Sequence, residues 1–383
     1  VQSGDRFQFI EGMRGVAALY VVLSHFCTMS DPRRFLGQTS RAEPWAQAVM
    51  APFWYGHLAV AAFIVISGFC LQVSLFQSRD GRLHDLKGFF RRRALRILPA
   101  YYGCLLISTV VALTVTASQG EAMPFRMYLP VTVENFLAHL FLVHNWSPAW
   151  MYKINGVLWS IAVEIQLYVI FPLLVALLFR VGRWGLLVVG SAAVGLVLSA
   201  FPDSAKLVPW YLVLFSLGLA AAHAAYRPSR WLGLSPWRGW LYCVGSVAIL
   251  GFGVRQGWPR IAMDASAGLL AASLLYAGTL APWSLMARFF AIRPLVWVGG
   301  FSYSLYLMHH PIQQIVFVNR PEWVRSEGEI LTYLAWAAFP VLILGSWLFS
   351  LALEKPFMRR RDPAADDQPV WMPMRLPLRA YEP

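Results

Sequence analysis

The chain has 383 residues, of which 58% are hydrophobic and 13% charged, and its formal net charge is +13. A soluble domain carries about 25% charged residues, so this composition, with a mean hydropathy of +0.54, excludes a soluble globular chain and indicates a polytopic helical membrane protein. In that setting the basic excess holds loops at the cytoplasmic face and calls for no nucleic-acid partner.

Ten apolar segments are long enough to span a bilayer: 9–29, 53–76, 95–117, 155–179, 184–201, 207–226, 239–254, 261–280, 294–318 and 330–353. The first carries Arg14 and, ten intervening residues later, His25. At a helical rise of about 1.5 Å per residue His25 lies about 16 Å beyond Arg14, near mid-bilayer. An ionisable group there costs about 2–3 kcal/mol even on permissive insertion scales, so a functional role is the first reading of His25. This run is too long for a cleavable signal peptide and carries Arg14, so it is expected to remain as the first span. In the second span, Gly68 suits close helix packing.

The third span is preceded by Phe89-Phe-Arg-Arg-Arg93-Ala-Leu-Arg96-Ile-Leu-Pro99. Arg93 and Arg96, three apart, share one helix face. They suit either topology anchoring or a phosphate-rich ligand arriving from the cytoplasm. The apolar piece 135–146 is too short to cross and is read as re-entrant or interfacial. The outer loops 30–52 and 118–154 are rich in Trp and Pro, and their aromatics suit a headgroup belt or a sugar-facing surface. The fourth span contains Trp159-Ser-Ile-Ala-Val-Glu164. Glu164 falls near the depth of His25, where a carboxylate must be protonated, paired or hydrogen-bonded. It serves structure, or it orients a catalytic or substrate-binding group.

The ninth span contains Tyr303-Ser-Leu-Tyr-Leu-Met-His309-His310-Pro311. Adjacent histidines point about 100° apart on a helix, so at most one is expected to face a central cavity, with the other toward the interface. Glu354-Lys-Pro356 ends the last span as a helix terminator. Cys27, Cys70, Cys104 and Cys243 lack metal-ligand spacing and are read as small buried hydrophobes. With the N-terminus inside, 22 of the 32 basic residues fall on the inner side. That asymmetry supports an even number of spans and two cytoplasmic termini.

Four of these stretches, in this order, resemble the acyltransferase-3 family, bacterial membrane proteins that O-acylate sugars, surface polysaccharides and some antibiotics. They are Arg14 with His25, Arg93-x-x-Arg96, Trp159-Ser-x-x-x-Glu164, and Tyr303–Pro311 with His309 followed by Glu354-x-Pro356. The match covers residues 6–360, with Ile161 in place of the leucine usual after Trp-Ser. The resemblance implies an acyl-CoA donor, normally acetyl-CoA, delivered from the cytoplasm. It makes His25 and Arg14 the catalytic pair, joined here by Glu164, and Arg93 and Arg96 the donor-binding pair. Trp159, Ser160, Tyr303, Tyr306 and His309 are the expected substrate-binding residues, and no metal is expected. His25 would act as a general base toward the acceptor hydroxyl or would itself accept the acyl group.

The expected molecule is thus an all-α bundle of about ten transmembrane helices in the bacterial inner membrane. Residues 1–361 form the acyltransferase domain and 362–383 a cytoplasmic tail too short for the fused extracytoplasmic domain of some relatives. Its partners are acyl-CoA, a sugar or envelope-glycan acceptor and the bilayer, with the oligomeric state left open. A transporter or flippase of an acyl carrier or lipid-linked sugar, with His25 and Glu164 relaying protons, is the rival reading.

Overall fold

Long runs of Leu, Val, Ala and Phe that meet no water must satisfy every backbone polar group internally, which leaves the helix as the form for a single apolar segment. The computed structural model describes residues 5–76, 83–120, 122–226 and 236–358. Helices make up 83% of these residues, with no strand among them. The tail expected over 362–383 and the basic residues Arg79, Arg82, Arg227 and Arg230 lie outside the described residues.

The main helices are α1 (Asp5–Ser30), α2 (Gly56–Leu75), α3 (Leu86–Val111), the short α4 (Val133–Leu140), α5 (Trp159–Ala200), α6 (Tyr211–Tyr226), α7 (Pro236–Gln256), α8 (Arg260–Leu280), α9 (Arg293–Gly299), α10 (Ser302–Val318) and α11 (Phe339–Leu353). Among the described residues seven helical stretches are long and apolar enough to cross a membrane, so the expected ten are not matched one for one. The fourth and fifth expected segments run together as α5, broken at Gly182, whose φ of 73° and ψ of 176° interrupt the helix. Glycine takes that conformation without a Cβ penalty. The sixth is only 16 residues long. The ninth is divided between α9 and α10, because the chain turns at Gly300–Phe301. A Cβ on Gly299 would lie 1.9 Å from the Glu11 carbonyl oxygen, so the close approach to α1 admits only glycine.

Small residues set the packing elsewhere too. Gly68 on α2 and Gly218 on α6 let the two backbones touch: added Cβ atoms would stand 2.3 Å from Phe215 O and 2.1 Å from Val65 O. The expected packing role of Gly68 is therefore what the structure shows. α8 lies against both α2 and α6, while α10 is surrounded by α1, α3 and α11. This arrangement makes α10 an interior helix and gives its polar side chains protein neighbours on all sides.

The 135–146 piece contains only the eight-residue α4 and a turn of 3-10 helix at His144–Trp146. Eight residues rise about 12 Å, well short of a hydrocarbon core. Thr132 starts α4 through a capping box, its hydroxyl accepting from the Asn135 backbone while the Asn135 side chain accepts from Thr132 N. Asn135, Ala138 and His139 face inward, and Val133, Leu137 and Phe141 face outward.

Candidate active site

The third span meets the basic face through a helix that begins early. Asp85 caps α3, accepting from Gly88 N at 2.7 Å, so Arg93 and Arg96 project from its second and third turns. Both line a cavity of about 870 Å³, its open mouth included, bounded by α1, α2, α3, α5 and α10. Arg14 lies on the same wall, 3.4 Å from the Glu11 carboxylate. The Arg93 guanidinium sits 5.8 Å from the Phe89 ring centre and 6.0 Å from that of Tyr168, and its buried Nε has no hydrogen-bond partner. Glu354 is also buried near this end and within electrostatic reach of Arg14 and Arg96. It does more than terminate α11, because Ser304 Oγ donates to it at 2.5 Å and ties the end of α11 to the start of α10.

Glu164 faces this cavity and not lipid. Ser67 Oγ donates to its Oε1 at 2.8 Å, and the Tyr168 hydroxyl donates to the same oxygen. At the other end, Ser160 and Tyr306 share a 2.7 Å hydroxyl–hydroxyl bond, and Tyr306 also donates to Val157 O at 3.1 Å. Tyr303 lines the wall and donates to Ile97 O at 3.1 Å. Seven of the expected residues therefore surround one space: Arg14, Arg93, Arg96, Ser160, Glu164, Tyr303 and Tyr306.

His25 and His309 do not line that cavity; they form an adjoining cluster. The rings of His25 and His309 are 4.9 Å apart, and those of His25 and His310 5.8 Å. Tyr306 joins the two compartments, since it lines the cavity and its ring lies 5.8 Å from His309. The expected division of His309 and His310 between cavity and interface is not what occurs. Both are buried, because α10 is interior, and His310 meets the Tyr128 ring at 4.5 Å. Trp159 also stands outside the cavity lining, with Arg260 5.5 Å above its ring and Tyr211 5.8 Å away.

The histidine tautomers follow from their bonds. His25 Nδ1 lies 2.9 Å from Val21 O and His309 Nδ1 3.2 Å from Leu305 O. A carbonyl only accepts, so each Nδ1 carries the proton and each Nε2 presents a lone pair. The buried Nε2 of His309 has no partner. Gln313 Nε2 donates to His25 O at 2.8 Å, fixing α1 against α10 at this level. Gln314, held by Thr116 Oγ1 at 2.5 Å, turns its amide to His310 Nδ1 at 3.0 Å.

Several of these residues escaped the sequence reading. Tyr168 stands four residues after Glu164 and Ser67 directly before Gly68, so helical spacing could have paired Tyr168 with the carboxylate. Cys70 departs from its expected buried role by lining the cavity, whereas Cys27, Cys104 and Cys243 are buried and all four are free thiols. Among the described residues no group of three or more His, Cys, Asp or Glu side chains is placed to hold a metal ion.

A family model described as an acyltransferase domain matches residues 7–355, which takes in every site residue just described. The chain belongs to the acyltransferase-3 family. It is similar to O-acetyltransferase OatA of Staphylococcus aureus strain NCTC 8325 / PS 47, with 29% identity over 73% of this chain and 49% of that protein. The same figures hold for OatA of strain COL. A protein of strain COL named "Putative O-acetyltransferase SACOL0978" is 24% identical over 95% of this chain and 59% of its own length. The family member described here thus spans about half the length of the curated relatives it matches. No solved structure matches it.

Proposed function

We propose that this acyltransferase moves an acetyl group from acetyl-CoA, presented at the cytoplasmic face of a bacterial inner membrane, to a hydroxyl of a sugar or envelope glycan. One observation carries the reading: Arg14, Arg93 and Arg96 meet around a single cavity whose other end closes on Tyr306, with His25 and His309 just beyond. Guanidinium groups suit phosphates because their fork geometry makes charge-assisted, bidentate hydrogen bonds. The unpartnered Arg93 Nε gives a phosphate oxygen something to bind. From Arg14 to His25 the helix rises about 16 Å. That length lets a pantetheine arm carry the thioester from the arginines toward the histidines.

In this scheme the Nε2 of His25 takes the proton of the acceptor hydroxyl, and the hydroxyl oxygen attacks the thioester carbonyl. The intermediate collapses by breaking the carbon–sulfur bond, the His25 imidazolium returns its proton to the thiolate, and CoA leaves toward the arginines. Glu164 shapes the polar wall through Ser67 and Tyr168. The relatives' names support O-acetyl transfer over other chemistries. A proton-relay transporter finds less support, because Glu164 bonds to Ser67 and Tyr168 in one compartment while His25 bonds to Val21 in the other. Mass analysis of envelope glycans from cells with and without the chain tests the reading. Acetyl esters present only in expressing cells support it; identical glycans and no CoA release by the purified protein overturn it.

A further inference from the structure

A second polar constellation lies at the N-terminal ends of α2 and α8, away from the arginines that line the cavity. His57, in the first turn of α2, places Nδ1 2.6 Å from Asp264 Oδ1. The other Asp264 oxygen accepts the Trp210 indole N–H at 2.9 Å, and Arg260 Nε is 3.6 Å from it. Arg260 is itself held over the Trp159 ring, and Tyr55 lies 6.3 Å from His57. A buried carboxylate behind Nδ1 fixes the proton of the neutral ring on that nitrogen, and in that tautomer Nε2 is an acceptor. The ring is not sealed: the His57 side chain is 24% exposed while Asp264 is 0%.

Two placements tie this pair to the candidate active site. His57, Val60, Ile64 and Ser67 follow at helical spacing along one face of α2, and the last three line the cavity. On the other flank Ser24 packs against Gly56, where an added Cβ would meet Ser24 Oγ at 2.5 Å. The next residue of each helix is His25 and His57, so the two histidines stand at one level.

We propose that His57, oriented by Asp264, and Arg260 form the acceptor subsite, taking a sugar through two neighbouring hydroxyls. The proposal rests on the acyltransferase reading. Nε2 accepts a hydrogen bond from one hydroxyl and the Arg260 guanidinium donates to the oxygen of the other, a pairing that a vicinal diol satisfies. An interhelical pin needs only Nδ1. A ring that keeps 24% of its side chain exposed, beside a cation anchored on Trp159, has Nε2 left for a ligand.

The two amide variants of His57 separate a pin from a subsite. His57→Asn keeps an N–H toward Asp264 but has nothing at the Nε2 position; His57→Gln does the reverse. Cells expressing the full chain are assayed for base-labile acetate on envelope glycans, and the purified full chain for binding of radiolabelled acetyl-CoA. His57→Asn is expected to keep wild-type thermal stability, bind acetyl-CoA within twofold of wild type and lose tenfold or more of the glycan acetate. His57→Gln is expected to be less thermally stable yet to retain more acetate than Asn. If His57→Asn lowers the membrane level of the protein, Arg260→Gln carries the same test with the same required loss. Wild-type acetate in both His57→Asn and Arg260→Gln, or loss of acetyl-CoA binding in either, overturns the subsite. A wild-type protein that neither binds acetyl-CoA nor adds acetate overturns the acyltransferase reading itself.

Discussion

Replacing Arg93 by alanine removes the guanidinium whose Nε is buried without a partner and whose plane lies near the Phe89 and Tyr168 rings. If that group binds a donor phosphate, one charge-assisted hydrogen bond worth about 1.5–3 kcal/mol is lost, or about 10- to 150-fold in donor affinity. Lysine keeps the charge but not the fork, so Arg93→Lys should fall between alanine and wild type. The neighbouring Arg92 is a built-in control. Its side chain is 62% exposed and pairs with Asp85 at 3.3 Å, outside the cavity lining. Exposed pairs of this kind are screened by solvent and add little to stability, so Arg92→Ala should leave donor use unchanged. The assay is the initial rate of CoA release by purified protein in nanodiscs, as a function of acetyl-CoA at saturating acceptor. A donor KM within twofold of wild type for Arg93→Ala, or an equal rise for Arg92→Ala, refutes the phosphate role.

Glu164→Gln should lower turnover strongly while sparing expression, since Ser67 and Tyr168 still find an oxygen, whereas Glu164→Leu should also reduce folded yield by leaving the Ser67–Tyr168 pair one acceptor short, at about 1–3 kcal/mol. Turnover unchanged in Gln, measured as CoA release, would make the carboxylate purely structural. For topology, a cysteine replacing exposed Lys206 should react with a membrane-impermeant maleimide in intact cells and one replacing exposed Lys87 should not; the reverse pattern refutes the cytoplasmic N-terminus. Between the spans, His139 and His144 stack at 3.8 Å, and burial holds them at about 4 and about 3, below the usual 6.5, with the charge of His139 lowering His144 further. Their lowered values mean the unfolded segment binds more protons from about pH 6.5 down to about pH 4, so stability falls on acidification by up to about 1.4 kcal/mol per group and pH unit. Amide exchange over residues 133–146 should therefore be faster at pH 5 than at pH 7.5 after correction for intrinsic rates, and equal protection would contradict it.

Helix positions were legible because membrane segments announce themselves by length and apolarity, and so were the residues whose burial is costly. Arg14, Arg93, Arg96 and Glu164 are charged groups in apolar helices, and all four meet at one cavity. The break at Gly182 was legible too, since it falls between Arg180 and Arg183 in the gap between the fourth and fifth expected segments; that one helical run continues on both sides of it was not. The need for glycine at 299 depends on how closely α1 approaches, a distance that only the folded chain defines. The depth of α10 explains the misread histidine pair: helical spacing separates His309 from His310 by angle, but only the surrounding helices determine that both directions are interior. His57 and Asp264 are 207 residues apart, so no local pattern joins them.

The central claim is that His25 accepts the acceptor's proton as CoA departs. Purified wild-type protein and His25→Ala are compared at equal folded amounts for CoA release from acetyl-CoA and for acetyl ester formed on the acceptor. Wild type should show matched release and ester formation, and His25→Ala should lose both while retaining acetyl-CoA binding through Arg14, Arg93 and Arg96. Ester formation by His25→Ala at the wild-type rate would contradict the claim.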